Sequence, residues 1–363
     1  MKTLHRIFYE NSKELSQVPS ASVELIVTSP PYPMIKMWDE NYSKQNLKIK
    51  RALKSNNGSL AFELMHEELD KTWREVYRVL IDGGIVCINV GDATRTLNNN
   101  FQLFNNHTRI INQCLSVGFQ TLPPIIWRKQ TNAPNKFMGS GMLPPGAYVT
   151  LEHEYIIILR KKEKRIFKTI EEKNNRKESA FFWEERNLWF SDIWFDLKGT
   201  GQNLNYKESR NRSGAYPFEL ACRLINMFSV KGDTVLDPFL GTGTTTVAAL
   251  SSERNSIGIE VDSHFSKIIN ERVLKSKTPI NHYIQRRIIK HKDFIRDREL
   301  TKKSIKYLNK PHGFPVMTRQ EVEAKIRLVD KIEQTAKNKY IVLYTEVLAT
   351  GEKDSQLKIK FKN

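Results

Sequence analysis

Two short runs carry residue types that could do chemistry: Ser29-Pro30-Pro31-Tyr32, and the nine residues from Asp237 to Thr245, Asp-Pro-Phe-Leu-Gly-Thr-Gly-Thr-Thr. In the first, each proline holds the residue before it in extended geometry and brings no N–H of its own. The turn is stiff, and the carbonyls of Ser29 and Pro30 have few local donors. A hydroxyl and free carbonyls beside an aromatic ring suit a flat ligand with an amino group. Its NH2 donates to the oxygens and its ring stacks on Tyr32. In the second run, Gly241 and Gly243 let the backbone turn sharply and come close to a ligand. Residues 244–250 read as a helix start, with Val247, Ala248, Ala249 and Leu250 apolar. Thr246 stands where the dinucleotide fingerprint needs its third glycine, and no Gly-Lys-Ser/Thr follows, so neither that fingerprint nor a P-loop is present. Residues 256–260, Ser-Ile-Gly-Ile-Glu, read as the next strand. It ends in Glu260, placed where an acid can accept from ribose hydroxyls.

Both runs follow apolar stretches of the kind that make buried strands, residues 23–27 and 234–236. Each therefore lies where a strand stops, and in an open α/β sheet ligands bind in the crevice beyond the carboxyl ends of the strands. Residues 68–80, with Trp73, Val76, Tyr77 and Leu80, read as an amphipathic helix ended by Gly83-Gly84, and residues 85–90 as a buried strand. Residues 154–159 form another apolar strand, and Tyr216-Pro217-Phe218-Glu219-Leu220 opens a helix. The fold class is α/β, built around a strand, glycine loop and helix of the Rossmann-like, nucleotide-binding kind.

Ser29-Pro30-Pro31-Tyr32 resembles the catalytic motif of the amino-group DNA methyltransferases, which methylate N6 of adenine or N4 of cytosine. The Ser form looks most like the cytosine-N4 enzymes. The run from Asp237 to Thr245 resembles the S-adenosylmethionine loop of the same enzymes. The catalytic motif comes first and the cofactor loop follows roughly 200 residues later, far more than a crossover needs. That order resembles the permuted β group, in which the target-recognition region lies between the two halves. The resemblance covers most of residues 4–275. Residues 118–119 and 124–129 look like the family's following strand pair.

The resemblance implies a circularly permuted, Rossmann-like S-adenosylmethionine methyltransferase fold. Its parts would be a catalytic half at 1–129, a target-recognition region at 130–195, a cofactor-binding half at 196–275 and a basic, DNA-contacting extension at 276–363. It assigns catalysis to Ser29, Pro30, Pro31 and Tyr32. It assigns S-adenosyl-L-methionine to Asp237, Pro238, Phe239, Gly241, Gly243, Thr244 and Glu260, with Pro217 on the helix over the methionine end. Relatives carry His-Pro or Lys-Pro there, where this chain has Tyr216-Pro217. The expected activity is methylation of cytosine N4 in duplex DNA within a restriction–modification system, with a cognate endonuclease acting on the same site. Adenine-N6 methylation is the alternative, and N-methylation of RNA or a protein amide a further rival. A non-catalytic, basic DNA-binding protein is a remote reading, since Ser29, Gly241, Gly243 and Glu260 are all intact.

The composition agrees. The chain of 363 residues carries a formal net charge of +18, which points to a polyanionic partner. No apolar run approaches membrane-spanning length, and the first residues, Met1 to Arg6, lack the apolar stretch of a secretory signal. Cys87, Cys114 and Cys222 are scattered without paired spacing, as in a cytoplasmic, prokaryotic-type protein associated with the nucleoid. None follows a proline, which disfavours covalent methylation at cytosine C5. His153-Glu154 and His66-Glu67-Glu68 never complete His-Glu-x-x-His, so no metal is expected. Residues 33–60 are polar and lysine-rich, a mobile loop or loosely held helix placed to close over a substrate, with Trp38 a candidate DNA contact. Residues 130–148 form an irregular loop suited to close approach to DNA through Lys136, and Arg160 and Lys161, two further candidate DNA contacts, open a charged segment. The aromatics of residues 181–195 read as a core cluster. Residues 284–308 and 320–337 read as helices, the second on the spacing of Val322, Ile326, Val329 and Ile332, and residues 340–348 as a strand. From Glu271 onward there are about twice as many Lys and Arg as Asp and Glu. A monomer or homodimer is expected.

Overall fold

The computed structural model describes residues 1–129, 138–199, 216–301 and 304–347. A ten-stranded sheet organises the chain. Its strands in chain order are β1 (Lys2–Phe8), β2 (Val23–Thr28), β3 (Leu80–Val90), β4 (Phe119–Arg128), β5 (His153–Lys161), β6 (Ile193–Trp194), β7 (Thr234–Asp237), β8 (Asn255–Ile259), β9 (Arg327–Ala336) and β10 (Lys339–Glu346). Their spatial order is β6-β4-β5-β3-β2-β7-β8-β1-β10-β9. The five strands from β3 to β1 are mutually parallel, with β5 and β10 antiparallel on either side.

The central pair is β2 and β7, paired through Leu25 with Val235 and Ile26 with Leu236. From β2 the chain continues through β3 to one side, and from β7 through β8 to the other. The crevice at their carboxyl ends is therefore a topological switch point, where open α/β sheets bind ligands. The central residues of both strands, Leu25 to Val27 and Val235 to Leu236, are apolar because helices cover both faces. Leu25, Val27 and Val235 enter one core cluster, Ile26 and Leu236 the other.

The helices are α1 (Asp39–Gln45), α2 (Leu47–Lys54), α3 (Gly58–Val79), α4 (Asn106–Val117), α5 (Ile170–Glu178), α6 (Trp183–Trp189), α7 (Phe218–Phe228), α8 (Thr244–Ser251), α9 (Phe265–Leu274) and α10 (Lys277–Leu300). Side chains from α1 to α4 fill one cluster, and α7 to α10 the other. Among the described residues no helix is long and apolar enough to cross a membrane.

Three expectations are corrected, and of the mobile loop or loosely held helix expected at 33–60 it is helix that forms. Residues 36–54 are a short 3-10 helix followed by α1 and α2, anchored by the buried Tyr42, Ile49 and Ala52. Gly83 and Gly84 do not end a helix. They lie inside β3, where the register with β2 shifts, and Gly83 takes φ +81°. Residues 119–128 form one strand rather than a pair, with a register shift between Leu122 and Ile125. The helix expected at 320–337 is a 3-10 turn at Arg319–Glu321 and then β9. Its apolar residues serve a hairpin with β10, which joins β1 through Leu4 and Ile341. Val329, Tyr340, Val342 and Tyr344 are buried in the core there, so this stretch of the basic extension belongs to the central sheet.

The aromatic stretch behaves largely as a core: Phe182, Trp189 and Trp194 are buried, while Phe190 and Phe195 are exposed. All three cysteines are buried, and burial pushes the Cys222 thiol up to about 12, in keeping with core residues.

Candidate active site

The loop after β7 is built around Asp237. Its carboxylate is buried and accepts from Thr28 Oγ1 at 2.6 Å, Thr245 Oγ1 at 2.5 Å and the Phe239 N–H at 3.0 Å. The Tyr216 hydroxyl lies 3.3 Å from it and donates to Thr245 Oγ1, whose own proton goes to the carboxylate. Asp237 thus ties the end of β2 to the start of α8. Burial raises its pKa, against the pull of these donors. Between them the backbone turns through left-handed positions at Gly241 (φ +55°) and Gly243 (φ +86°), which favour glycine. A Cβ added at Gly241 would meet no heavy atom within 4 Å, so the space beside it is open.

Glu260 follows β8. It accepts from the Gly241 N–H at 2.7 Å and the Asp262 N–H at 2.9 Å, one on each carboxylate oxygen. Burial pushes its pKa up to about 7, opposed by these two donors. Each oxygen keeps lone-pair capacity for a further donor. Thr244 Oγ1 is buried with no hydrogen-bond partner among the described residues.

Across from this loop, Ser29 Oγ and the Tyr32 hydroxyl share a hydrogen bond of 3.0 Å. The Tyr32 hydroxyl donates to Glu154 Oε2 at 3.1 Å and accepts from Asn89 Nδ2 at 3.0 Å. Asn89 Nδ2 also donates to Glu154 Oε2 at 2.7 Å, and Lys129 Nζ donates to Glu154 Oε1 at 2.8 Å. Burial raises the Tyr32 pKa, and the adjacent Glu154 raises it further, so the phenol stays protonated. The turn itself is pinned by Tyr42 of α1, whose hydroxyl donates to the Pro31 carbonyl at 2.7 Å. The Pro30 carbonyl accepts no hydrogen bond among the described residues. Gly91, just after β3, lets the backbone close on the Tyr32 ring: a Cβ there would lie 3.3 Å from Cε2.

Both motifs line one cavity of 590 Å³. Ser29, Pro30, Pro31 and Tyr32 form one part of its wall, and Asp237, Pro238, Phe239, Gly241, Thr244 and Glu260 another. Trp38 lines it too. Gly243 shapes the loop as the N-cap of α8. Pro217 caps α7 and is not among the lining residues, whereas its neighbour Tyr216 is.

Lys136 lies outside the described residues. The DNA-contact role expected of Lys161 is corrected. Its ammonium is buried and donates to the Tyr77 and Leu80 carbonyls, both at 2.7 Å, where it closes the end of α3. Arg160, beside it, donates to Gln120 Oε1 at 2.8 Å and the Lys162 carbonyl at 2.9 Å. Both stand at the opposite end of β5 from Glu154, away from the cavity.

Sequence reasoning missed Glu154 and Asn89, which bond the Tyr32 hydroxyl, Lys129, which bonds Glu154, and Glu10 and Asn11, which line the cavity after β1. A signal was present for two of them. Asn89 interrupts an apolar strand, and Glu154 opens one, and a polar residue in such a place needs a reason.

A family model described as DNA methylase matches residues 23–271. The chain is 51% identical to the Type II methyltransferase M.MthZI of Methanothermobacter thermautotrophicus, over 99% of this chain and 100% of that one. It is 48% identical to the Type II methyltransferase M.MjaI of Methanocaldococcus jannaschii, over 75% of this chain and 91% of the relative. Among solved structures, the Thermus thermophilus protein TTHA0409 complexed with S-adenosyl-L-methionine aligns with a TM-score of 0.59 and 32% identity, covering 75% of this chain and 94% of that one. The cytosine-N4-specific PvuII DNA methyltransferase shares the fold, with a TM-score of 0.50 and 16% identity over 75% of this chain and 87% of its own.

Proposed function

The chain belongs to the N6/N4 DNA methylase family, and from that premise we propose that it transfers a methyl group from S-adenosyl-L-methionine to N4 of cytosine in duplex DNA. The observation that carries this reading is the shared cavity: Ser29 and Pro30 line the same space as Gly241 and Glu260. The serine in the Ser-Pro-Pro-Tyr turn supports cytosine over adenine, by its likeness to the cytosine-N4 form of the motif.

The residues fit the cofactor. Glu260 offers carboxylate lone pairs suited to ribose hydroxyls, Gly241 leaves open space, and the buried Thr244 hydroxyl, without a partner among the described residues, suits a polar group. When bound, S-adenosyl-L-methionine supplies an electrophilic methyl on a sulfonium. The chain's own task is to orient a poor nucleophile. The cytosine amine is conjugated to the ring, so its lone pair must be turned out of conjugation and toward the methyl. Ser29 Oγ and the Pro30 carbonyl, each accepting one amine hydrogen, do this. Tyr32 packs beside the ring. The target base leaves the duplex to reach the cavity, at a cost of a few kcal/mol. The net charge of +18 supplies backbone affinity, with much of it assigned to the segment after residue 275 and base reading to residues 130–195. The Type II names of the relatives support a restriction–modification role, with an endonuclease reading the same site.

The test is incubation with methyl-labelled cofactor and unmethylated duplex DNA, followed by nucleoside analysis. Label in N4-methylcytosine is expected. Label in N6-methyladenine would overturn the cytosine assignment, and no label in DNA would overturn the activity.

A further inference from the structure

The environment of Glu154 dictates the direction of every hydrogen bond between it and Ser29. The carboxylate meets donors on all sides: Lys129 Nζ at 2.8 Å, Asn89 Nδ2 at 2.7 Å and the Tyr32 hydroxyl at 3.1 Å. A carboxylate only accepts, and it is the nearer and the charged acceptor, the Asn89 main-chain carbonyl lying at 3.5 Å, so the single Tyr32 proton points at Glu154. The same carboxylate fixes the Asn89 amide, because the flipped amide would set oxygen against oxygen. The Tyr32 oxygen is then left with lone pairs. One accepts from Asn89 Nδ2 at 3.0 Å and the other faces Ser29 Oγ at 3.0 Å. With no proton left to give, Tyr32 can only accept from Ser29.

We propose that Glu154 is a positioning residue for methyl transfer. Through Tyr32 it commits the Ser29 proton inward, so that Ser29 presents lone pairs, and never its own proton, to the target amine. This rests on the function proposed above. A free serine hydroxyl rotates, and in some rotamers would point its proton at the amine and repel it. The ordered chain removes those rotamers before the substrate arrives, which is the preorganisation that makes such sites effective. The chain also gives the proton a way out. The amine nitrogen bonds the methyl carbon with its own lone pair while the carbon–sulfur pair returns to sulfur, and the nitrogen becomes cationic. Its proton passes to Ser29 Oγ, the Ser29 proton to Tyr32 Oη and the Tyr32 proton to Glu154 Oε2. The product amine is left neutral and Glu154 holds one proton to release to water.

The test is a double-mutant cycle on the single-turnover rate, with dissociation constants for cofactor and DNA measured beside it. Glu154→Gln places an amide donor against Tyr32 and lets the chain reverse. Its rate is expected to fall on the order of 10- to 100-fold, with both dissociation constants within about twofold of the native protein. In a Ser29→Ala background the same substitution should have almost no further effect, because residues acting as one unit are not additive. Tyr32→Phe removes the link while keeping the ring, and should behave as Glu154→Gln does, which covers the case where Glu154→Gln does not fold. If Glu154→Gln slows the Ser29→Ala enzyme as much as the native one, Glu154 does not act through Ser29. A weakened DNA affinity with an unchanged single-turnover rate would make Glu154 a binding residue instead. Either result overturns the inference while leaving DNA methylation standing, whereas native protein that labels no DNA overturns the function itself.

Discussion

Glu260 provides a quantitative prediction. In the free protein its burial holds the carboxyl up at about 7, while ribose hydroxyls bind best to the ionised form. Cofactor binding must therefore deprotonate the residue at low pH. Between pH 8 and pH 6 the ionised fraction falls from about 0.9 to about 0.1, so cofactor affinity should fall about tenfold, ~1.4 kcal/mol. The sign for the free fold is opposite. A folded value raised from 4.5 means that this residue's contribution to stability declines as pH rises from about 4.5 through 7, and bound cofactor offsets the loss. Glu260→Gln removes the titration. It also leaves one oxygen to serve the Gly241 and Asp262 N–H groups and the ribose together, so affinity should drop on the order of tenfold or more at pH 8. The assay is titration calorimetry across pH for native and variant protein. The cofactor's own amino group titrates alike in both and cancels in the comparison. Native affinity that is flat from pH 6 to pH 8, or a variant that keeps the native slope, would refute the reasoning.

Three further outcomes are expected. Ser29→Ala should lower the methyl-transfer rate on the order of 10²-fold with the thermal midpoint unchanged, read by single-turnover assay and calorimetry. Lys161→Ala should lower stability by about 1–3 kcal/mol in urea titrations, because the Tyr77 and Leu80 carbonyls lose a buried donor, while DNA affinity stays unchanged. Tyr344→Phe should cost about 1–3 kcal/mol in the same assay. Its hydroxyl donates to the Leu250 carbonyl at 2.8 Å and bonds Thr3 Oγ1 at 2.9 Å, linking β10 to α8 and β1.

The two motifs were legible because each is local: a strand, a rigid or glycine-rich turn and its polar residues are contiguous. That β2 and β7 are neighbours could be inferred only from motif order, since their pairing spans more than two hundred residues. Residues 36–54 read as a mobile loop or a loosely held helix because few of their residues are apolar. Tyr42, Ile49 and Ala52 suffice once α3 supplies the surface they pack on. The spacing of Val322, Ile326, Val329 and Ile332 fits a helix, but β10, itself paired to the edge of β1, offered β9 a better partner. The ring of groups around Tyr32 was illegible for a different reason. Asn89 and Glu154 come from two strands and Lys129 from just past the end of a third, and no local pattern reveals their register. Lys161 was misread because a lysine in a run of charges looks solvated, yet its partners are carbonyls of a helix end far away in sequence.

The central claim is that the two strand-end motifs serve one cavity, with the cofactor held on one wall and the target amine on the other. A crystal structure with S-adenosyl-L-homocysteine bound measures this most directly. The account predicts ligand within the 590 Å³ cavity, its ribose hydroxyls on Glu260 and its sulfur turned toward Ser29 and the Pro30 carbonyl. Ligand bound with its sulfur directed away from Ser29, or outside the cavity altogether, would contradict it.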